Sequence, residues 1–237
     1  MIHNNTAPFF EFTLFEDFSK ELRHAIFTRD TDICDHAEVQ KWLTAAHRPF
    51  SFTMQLHGTR SYVVKKQDLN HTIRDTQEGD VLITRQTGIP LVIRIADCAS
   101  VLLYDPKKRV AANIHAGWRG HTQRVIHKTI QTMHDAYGCD SKDIYTGISP
   151  MLGPCCSHFS DPYNELPKFL HEYITEENTV NLWAITEAAL MECGVPRAQI
   201  ENPRVCTFCT PEHFYSYRRA RGTPHQDRRF GTAIMLL

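Results

Sequence analysis

Three residues stand where catalytic groups are commonly displayed. His57, Cys98 and His115 each follow or adjoin an apolar run that reads as a strand, and each has a small residue beside it. Two imidazoles and one thiolate suit zinc, and three protein ligands leave a fourth position open, as a catalytic ion needs. An ion held there would lower the pKa of a bound water to roughly 7. Copper is the less favoured metal, since a copper oxidase should offer more histidine clusters than the sequence suggests. Spacing alone supports a plainer reading as well, with Cys98 a buried thiol and His115 a hydrogen-bonded turn residue, because no compact metal motif links these positions.

The neighbours of the trio add chemistry. In Ile114-His-Ala-Gly-Trp-Arg-Gly120, the residues Ala116, Gly117 and Gly120 leave room for a ligand. Trp118 is placed to wall a pocket and Arg119 to hold an anion by its planar fork. Asp97, the nearest acid to Cys98, is a candidate proton shuttle or a carboxylate that orients a ligand histidine. In a fully extended Ala96–Cys98 segment its side chain would face away from Cys98, so either role needs a turn there. Arg29 and Arg229 are second choices for an anion, with solvated surface as the plain alternative. Cys98 as a nucleophile with His115 as its base is a further option. Cys206-x-x-Cys209 is a lone pair at its spacing, and the adjacent Cys155-Cys156 is not spaced for one tetrahedral site, so all four are expected to be structural thiols.

These side chains need elements to hold them. Short β-rich runs at Val81–Thr84, Pro90–Ile95, Ser100–Tyr104 and Val110–Ile114 lie too close together for β-α-β crossovers, which predicts antiparallel or mixed pairing. Strand character also marks Phe9–Leu14, Ala25–Thr28, Phe50–Gln55, Tyr62–Val64, Ile144–Ile148, Arg204–Thr207, Phe214–Arg218 and Thr232–Leu236. Helical periodicity marks His36–Ala46, Thr122–Tyr137 closed by Gly138, Asn164–Ile174, and Leu182–Cys193 closed by Gly194 and Pro196. The chain has 237 residues and no repeat or Gly/Ser linker, so residues 1–237 read as a single α+β domain.

Composition excludes several classes. With 42% hydrophobic and 22% charged residues the chain is neither disordered nor collagen-like. Lys+Arg number 26 against 27 Asp+Glu, which gives no global attraction to nucleic acid or anionic membrane, although Arg218, Arg219, Arg221, Arg228 and Arg229 crowd the C-terminal end. No nucleic-acid motif accompanies that cluster, and Phe214, Tyr215 and Tyr217 fit a half-buried strand. No apolar run reaches the roughly 18 residues of a membrane span. With no signal peptide in view, the eight cysteines are expected to be mostly reduced and the protein cytoplasmic.

Several stretches together resemble the YfiH, or multicopper polyphenol oxidase (laccase) domain, family. They are Met54-Gln-Leu-His-Gly58, Gly79-Asp80, Ala96-Asp-Cys98, His115-Ala-Gly-Trp-Arg-Gly120, Gly153-Pro-Cys155, Cys209-Thr210 and Phe214-Tyr-Ser-Tyr-Arg-Arg219. Leu22-Arg-His-Ala-Ile-Phe-Thr-Arg29 matches the family's early His-x-x-Phe-Thr-Arg stretch. The resemblance implies a mixed α/β/β/α sandwich, like the cytotoxic-necrotizing-factor cysteine hydrolases, and zinc ligands at His57, Cys98 and His115. It implies a purine nucleoside phosphorylase acting on adenosine, inosine, guanosine or methylthioadenosine with phosphate as co-substrate, and adenosine deamination beside it. Alternatives are a hydrolase editing peptidoglycan precursors, with Cys98 and His115 in a nucleophilic role, and a binding module without catalysis. The sequence departs from the family at Asp30–Cys34, at Cys156, at Phe159-Ser-Asp-Pro162 and at Asp227-Arg-Arg229, all in segments expected to face substrate.

Overall fold

The strands are apolar on both faces because each central strand is covered twice. In the computed structural model, which describes residues 2–3, 8–51, 54–65, 67–68 and 78–237, two sheets are stacked. Among the described residues the first sheet orders β1 (Ile2–His3), β2 (Phe9–Glu11), β3 (Leu22–Phe27), β11 (Phe230–Leu236) and β6 (Leu91–Ile95). The second orders β10 (Ile200–Glu201), β9 (Tyr145–Ile148), β7 (Ala99–Asp105), β8 (Val110–Ala116), β5 (Val81–Thr84) and β4 (Ser61–Val64). Pairing is mixed as expected: β8 runs antiparallel to β5 and β7, while β4 and β10 pair in parallel with β5 and β9.

Side-chain alternation along each strand separates three apolar layers. Leu82, Leu102, Tyr104 and Ala111 meet Phe10, Ile26, Leu91, Ile93, Phe230 and Ile234 between the sheets. Val81, Ile83, Val101, Leu103, Ala112 and Ile114 point the other way, onto Ile126, Ile130 and Met133 of α3 (Val125–Tyr137) and Leu182, Ile185 and Leu190 of α5 (Leu182–Glu192). On the outer face of the first sheet, Ala25, Phe27, Val92 and Ala233 pack on Val39 and Leu43 around α1 (His36–Trp42). The layering is therefore α/β/β/α. One polar knot crosses it: Asn113 Nδ2 donates to Leu91 O and to Thr232 Oγ1, while Ser100 Oγ donates to Asn113 Oδ1, all fully buried. Each buried polar group there has a partner, so the knot sets how the sheets register without an unpaired group.

Several expected elements differ. The helix from His36 stops at Trp42, since Thr44 takes a positive φ of 48°. The helix expected over Thr122–Tyr137 is two, α2 (Trp118–Thr122) and α3, broken where Arg124 has φ 60°. Pro167 divides the one expected over Asn164–Ile174 into α4 (Pro162–Glu165) and a 3-10 turn at Lys168–Tyr173. In place of the Phe50–Gln55 strand there are single bridges at Phe50 and Met54, with positions 52 and 53 outside the described residues. Arg204–Thr207 makes one bridge, Cys206 to Met151. The aromatic strand at Phe214–Arg218 is absent: Phe214 is buried, Tyr217 is exposed, and Ser216 caps α6 (Tyr217–Ala220). No helix among the described residues is long and apolar enough to cross a membrane.

Candidate metal centre

Strand register brings the trio together. β5 and β8 pair Val81 with Ile114, which sets Asp80 across from His115, and the His115 amide donates to Asp80 O at 2.7 Å. β7 and β8 pair Ala99 with Ala116, which sets Cys98 across from Gly117. His57 precedes β4, the parallel neighbour of β5, so it arrives at the same sheet end. One donor atom from each of His57, Cys98 and His115 lies within 4.8 Å of the others. His115 is buried, Cys98 half-buried and His57 exposed, so the cluster opens to solvent on the His57 side. The imidazoles meet edge to face at 4.7 Å.

Asp80 organises the cluster, and its part is one that sequence reasoning missed. Its carboxylate is buried and accepts from His115 Nδ1 (2.8 Å), the His57 amide (2.8 Å) and the Gly58 amide (2.9 Å). A carboxylate can only accept from Nδ1, so Nδ1 carries a proton and Nε2 of His115 is the nitrogen left for a metal, which would displace any proton there. The amide bonds also hold His57 in its left-handed conformation, φ 57°. Gly79-Asp80 was visible as a motif, but only the β5–β8 register gives it a job. Gly117 supplies space: a Cβ there would sit 2.7 Å from Cys98 Sγ.

The charges support one another. Burial pushes the Cys98 thiol up, but the imidazoles of His115 and His57 outweigh it and bring it down to about 6. Burial likewise disfavours the His115 cation, yet the Cys98 thiolate and the Asp80 hydrogen bond lift it to about 9. Burial raises the Asp80 carboxyl, and His115 with the two amides more than reverses it. A sulfur already inclined to the thiolate is what a metal requires of a cysteine ligand.

The other candidates fall in different places. Asp97 makes the required turn, with φ 88° at the point where the chain passes from β6 in one sheet to β7 in the other. Its carboxylate does not orient a histidine: Oδ1 accepts from Thr207 Oγ1 and Oδ2 from the Arg218 amide, both at 2.7 Å. Those bonds tie it to the C-terminal loops. Trp118 is half-buried, edge-on to Phe159, and carries the Arg119 guanidinium 4.2 Å above its ring. Arg119 is exposed and makes no salt bridge among the described residues. Arg29 lies over Tyr215 beside a cavity of about 260 Å³ that is also lined by Arg219, His225 and Arg228. Arg229 is bonded to its own loop, at Gln226 O and Arg228 O, while Arg228 lines that cavity. Cys155, Cys156, Cys206 and Cys209 also converge, although their spacing along the chain does not suggest a common site.

The chain is similar to several known proteins. Residues 33–236 match the family described as multi-copper polyphenol oxidoreductase laccase. A Bacteroides thetaiotaomicron protein named purine nucleoside phosphorylase is 30% identical over 179 residues, covering 70% of this chain and 66% of that one, so the match spans just under two thirds of the relative. A protein named adenosine deaminase RL5, from an unknown prokaryotic organism, is 28% identical, with 70% of this chain and 68% of that one covered. The crystal structure of YlmD from Geobacillus stearothermophilus superposes with a TM-score of 0.82 at 21% identity, over 99% of this chain and 98% of that one, and so shares the fold.

Proposed function

Because the chain belongs to the multi-copper polyphenol oxidoreductase laccase family, we propose that it is a zinc-dependent purine nucleoside phosphorylase, working as a single domain in the cytoplasm. The observation that carries this reading is the open three-donor cluster, with Asp80 behind it and Gly117 beside it. His57, Cys98 and His115 fit zinc by donor type and by their mutual spacing, with no fourth side chain among the described residues to close the set. An ion bound there supplies Lewis-acid polarisation at a reacting or leaving group.

The remaining work falls to the chain's own residues. In phosphorolysis a phosphate oxygen bonds to the ribose anomeric carbon while the bond to the purine nitrogen breaks, and the base leaves with the electron pair and gains a proton. Asp80 accepts from His115 Nδ1 and so orients the ring with Nε2 as the remaining donor. Arg119, exposed and four residues beyond His115 on α2, is the first candidate to orient phosphate, and Arg29 with Arg228 the second. Trp118 offers an apolar wall for the purine. Phosphorolysis stands first because of the phosphorylase relative, and deamination second because of the deaminase relative.

Incubation of zinc-loaded protein with adenosine, with and without phosphate, tests this directly. Adenine and ribose 1-phosphate formed only with phosphate is the expected result. Inosine in both reactions shifts the reading to deamination, and neither product in either removes nucleoside chemistry altogether.

A further inference from the structure

We propose that Cys155, Cys156, Cys206 and Cys209 form a second metal site, a closed tetrathiolate that takes a thiophilic divalent ion, zinc above all, and fastens the turn after β9 to the turn before α6. The four sulfurs lie within 4.8 Å of one another. Cys209 Sγ is 3.7 Å from Cys155 Sγ and 3.5 Å from Cys156 Sγ. Zinc–sulfur bonds of about 2.3 Å in a tetrahedron place the sulfurs about 3.8 Å apart. A disulfide needs about 2.05 Å and takes its sulfurs in pairs. Both Cys209 distances are near the tetrahedral value and well beyond a disulfide's, and all four sulfurs lie close enough to share one ion.

The local backbone explains how adjacent cysteines reach a common point. Cys156 and Ser157 amides both donate to Gly153 O at 3.0 Å, which curls Pro154-Cys155-Cys156 into a tight turn. On the other side the Cys209 amide donates to Cys206 O at 3.1 Å, and Thr210 Oγ1 caps the same carbonyl. That is the tight loop a Cys-x-x-Cys pair needs to present two sulfurs to one ion. The two turns are clamped by Met151 N to Val205 O and Thr207 N to Met151 O, each 3.1 Å. The Gly153 amide lies 3.3 Å from Cys206 Sγ and donates to it, an arrangement that suits a ligating thiolate. Gly153 must be glycine, since a Cβ there would meet the Trp183 ring at 2.5 Å.

A closed set of four ligands leaves no position for substrate, so the role is structural. It reaches the open cluster through one residue: Thr207, next to Cys206, donates to Asp97, and the Leu152 amide donates to Asp97 O at 2.9 Å. The tetrathiolate thereby braces the strained residue that precedes Cys98. This inference does not depend on the nucleoside reading, because it predicts a second ion whatever the first one does.

The test is metal counting on the whole chain, purified with zinc under reducing conditions. Two zinc per chain are expected, falling to one in Cys206→Ser/Cys209→Ser and to one in His115→Ala. Cobalt loaded into His115→Ala should give the intense sulfur-to-cobalt absorption of four thiolates, which decides the matter even if the cysteine variants fail to fold. A single zinc that survives His115→Ala supports the tetrathiolate and removes the open site; a single zinc lost in that variant does the reverse. Titration of the denatured chain that finds fewer than its eight free thiols, with a matching mass loss, would overturn the proposal in favour of disulfides.

Discussion

The two sulfur-bearing clusters reach convergence by opposite means. His57, Cys98 and His115 are held by the register of β4, β5, β7 and β8, so their spacing is a property of a sheet buried on both faces. Cys155, Cys156, Cys206 and Cys209 are held by two surface turns, with two of the four sulfurs exposed through Cys155 and Cys209. The first set mixes nitrogen and sulfur donors, stops at three, and is backed by a buried carboxylate. The second offers four sulfurs and no carboxylate. Rigid strand ends can leave an ion incompletely surrounded, because the scaffold stays in place without it. The two turns rest on backbone bonds through Met151 in place of strand register, and an ion there would add to their order.

The largest expected effect breaks the comparison on its open side. His115→Ala should lower phosphorolysis by about a thousandfold or more and remove one zinc per chain, while the zinc of the four thiols stays. Kinetics and metal analysis on the same preparation check it. Equal loss from both clusters would mean that they are one cooperative unit.

Acid separates ligand protonation from the stability of the frame. His24, whose Nε2 accepts the Phe12 amide, is held near pKa 3 by burial, and His121, bonded to Thr186, near 4 by burial and then by His127. Both lie below the value of about 6.5 for an unfolded histidine. The unfolded chain therefore binds protons first, and stability falls as pH drops from about 6.5 towards 3. Chelated, metal-free protein should lose on the order of a few kcal/mol across that window in denaturant melts. His24→Gln, which keeps an acceptor without titrating, should flatten part of the slope.

Asp80→Asn sharpens the comparison by touching the carboxylate that only the open cluster has. Zinc affinity there should fall about 10- to 100-fold, with no change at the four cysteines. Competition with a chromophoric chelator would reveal an unchanged affinity if Asp80 were mere packing. The smallest effects belong to the arginines. Arg119→Ala should raise the KM for phosphate about tenfold without loss of zinc, as expected when one charged hydrogen-bond partner is removed. Arg229→Ala, whose guanidinium is spent on its own loop, should change it less than about twofold.

Much of this was legible along the chain. Val81–Thr84, Leu91–Ile95 and Leu182–Glu192 fall where apolar runs and closing glycines place them, because those signals are local. The motif around His115 marked the trio, and the family resemblance anticipated the stacked α/β/β/α layers. Residues whose role depends on a partner far away were misread or missed. Asp97 reads along the chain as a proton shuttle or an orienting carboxylate, and its bonds to Thr207 and to the Arg218 amide were not visible there. Phe214 was placed on a strand and instead plugs the space between the sheets.

What the sequence determined by itself is therefore the inventory: which segments are apolar enough to be strands, where they must stop, and which donors stand at their ends. Tertiary structure alone decided the assignments. Asp80 belongs to His115, and Cys155 to Cys209, through strand register and the docking of two turns. Such pairings join positions tens of residues apart, and no local preference of either residue encodes its partner. They come into being only when the sheets stack and the buried polar groups must find one another.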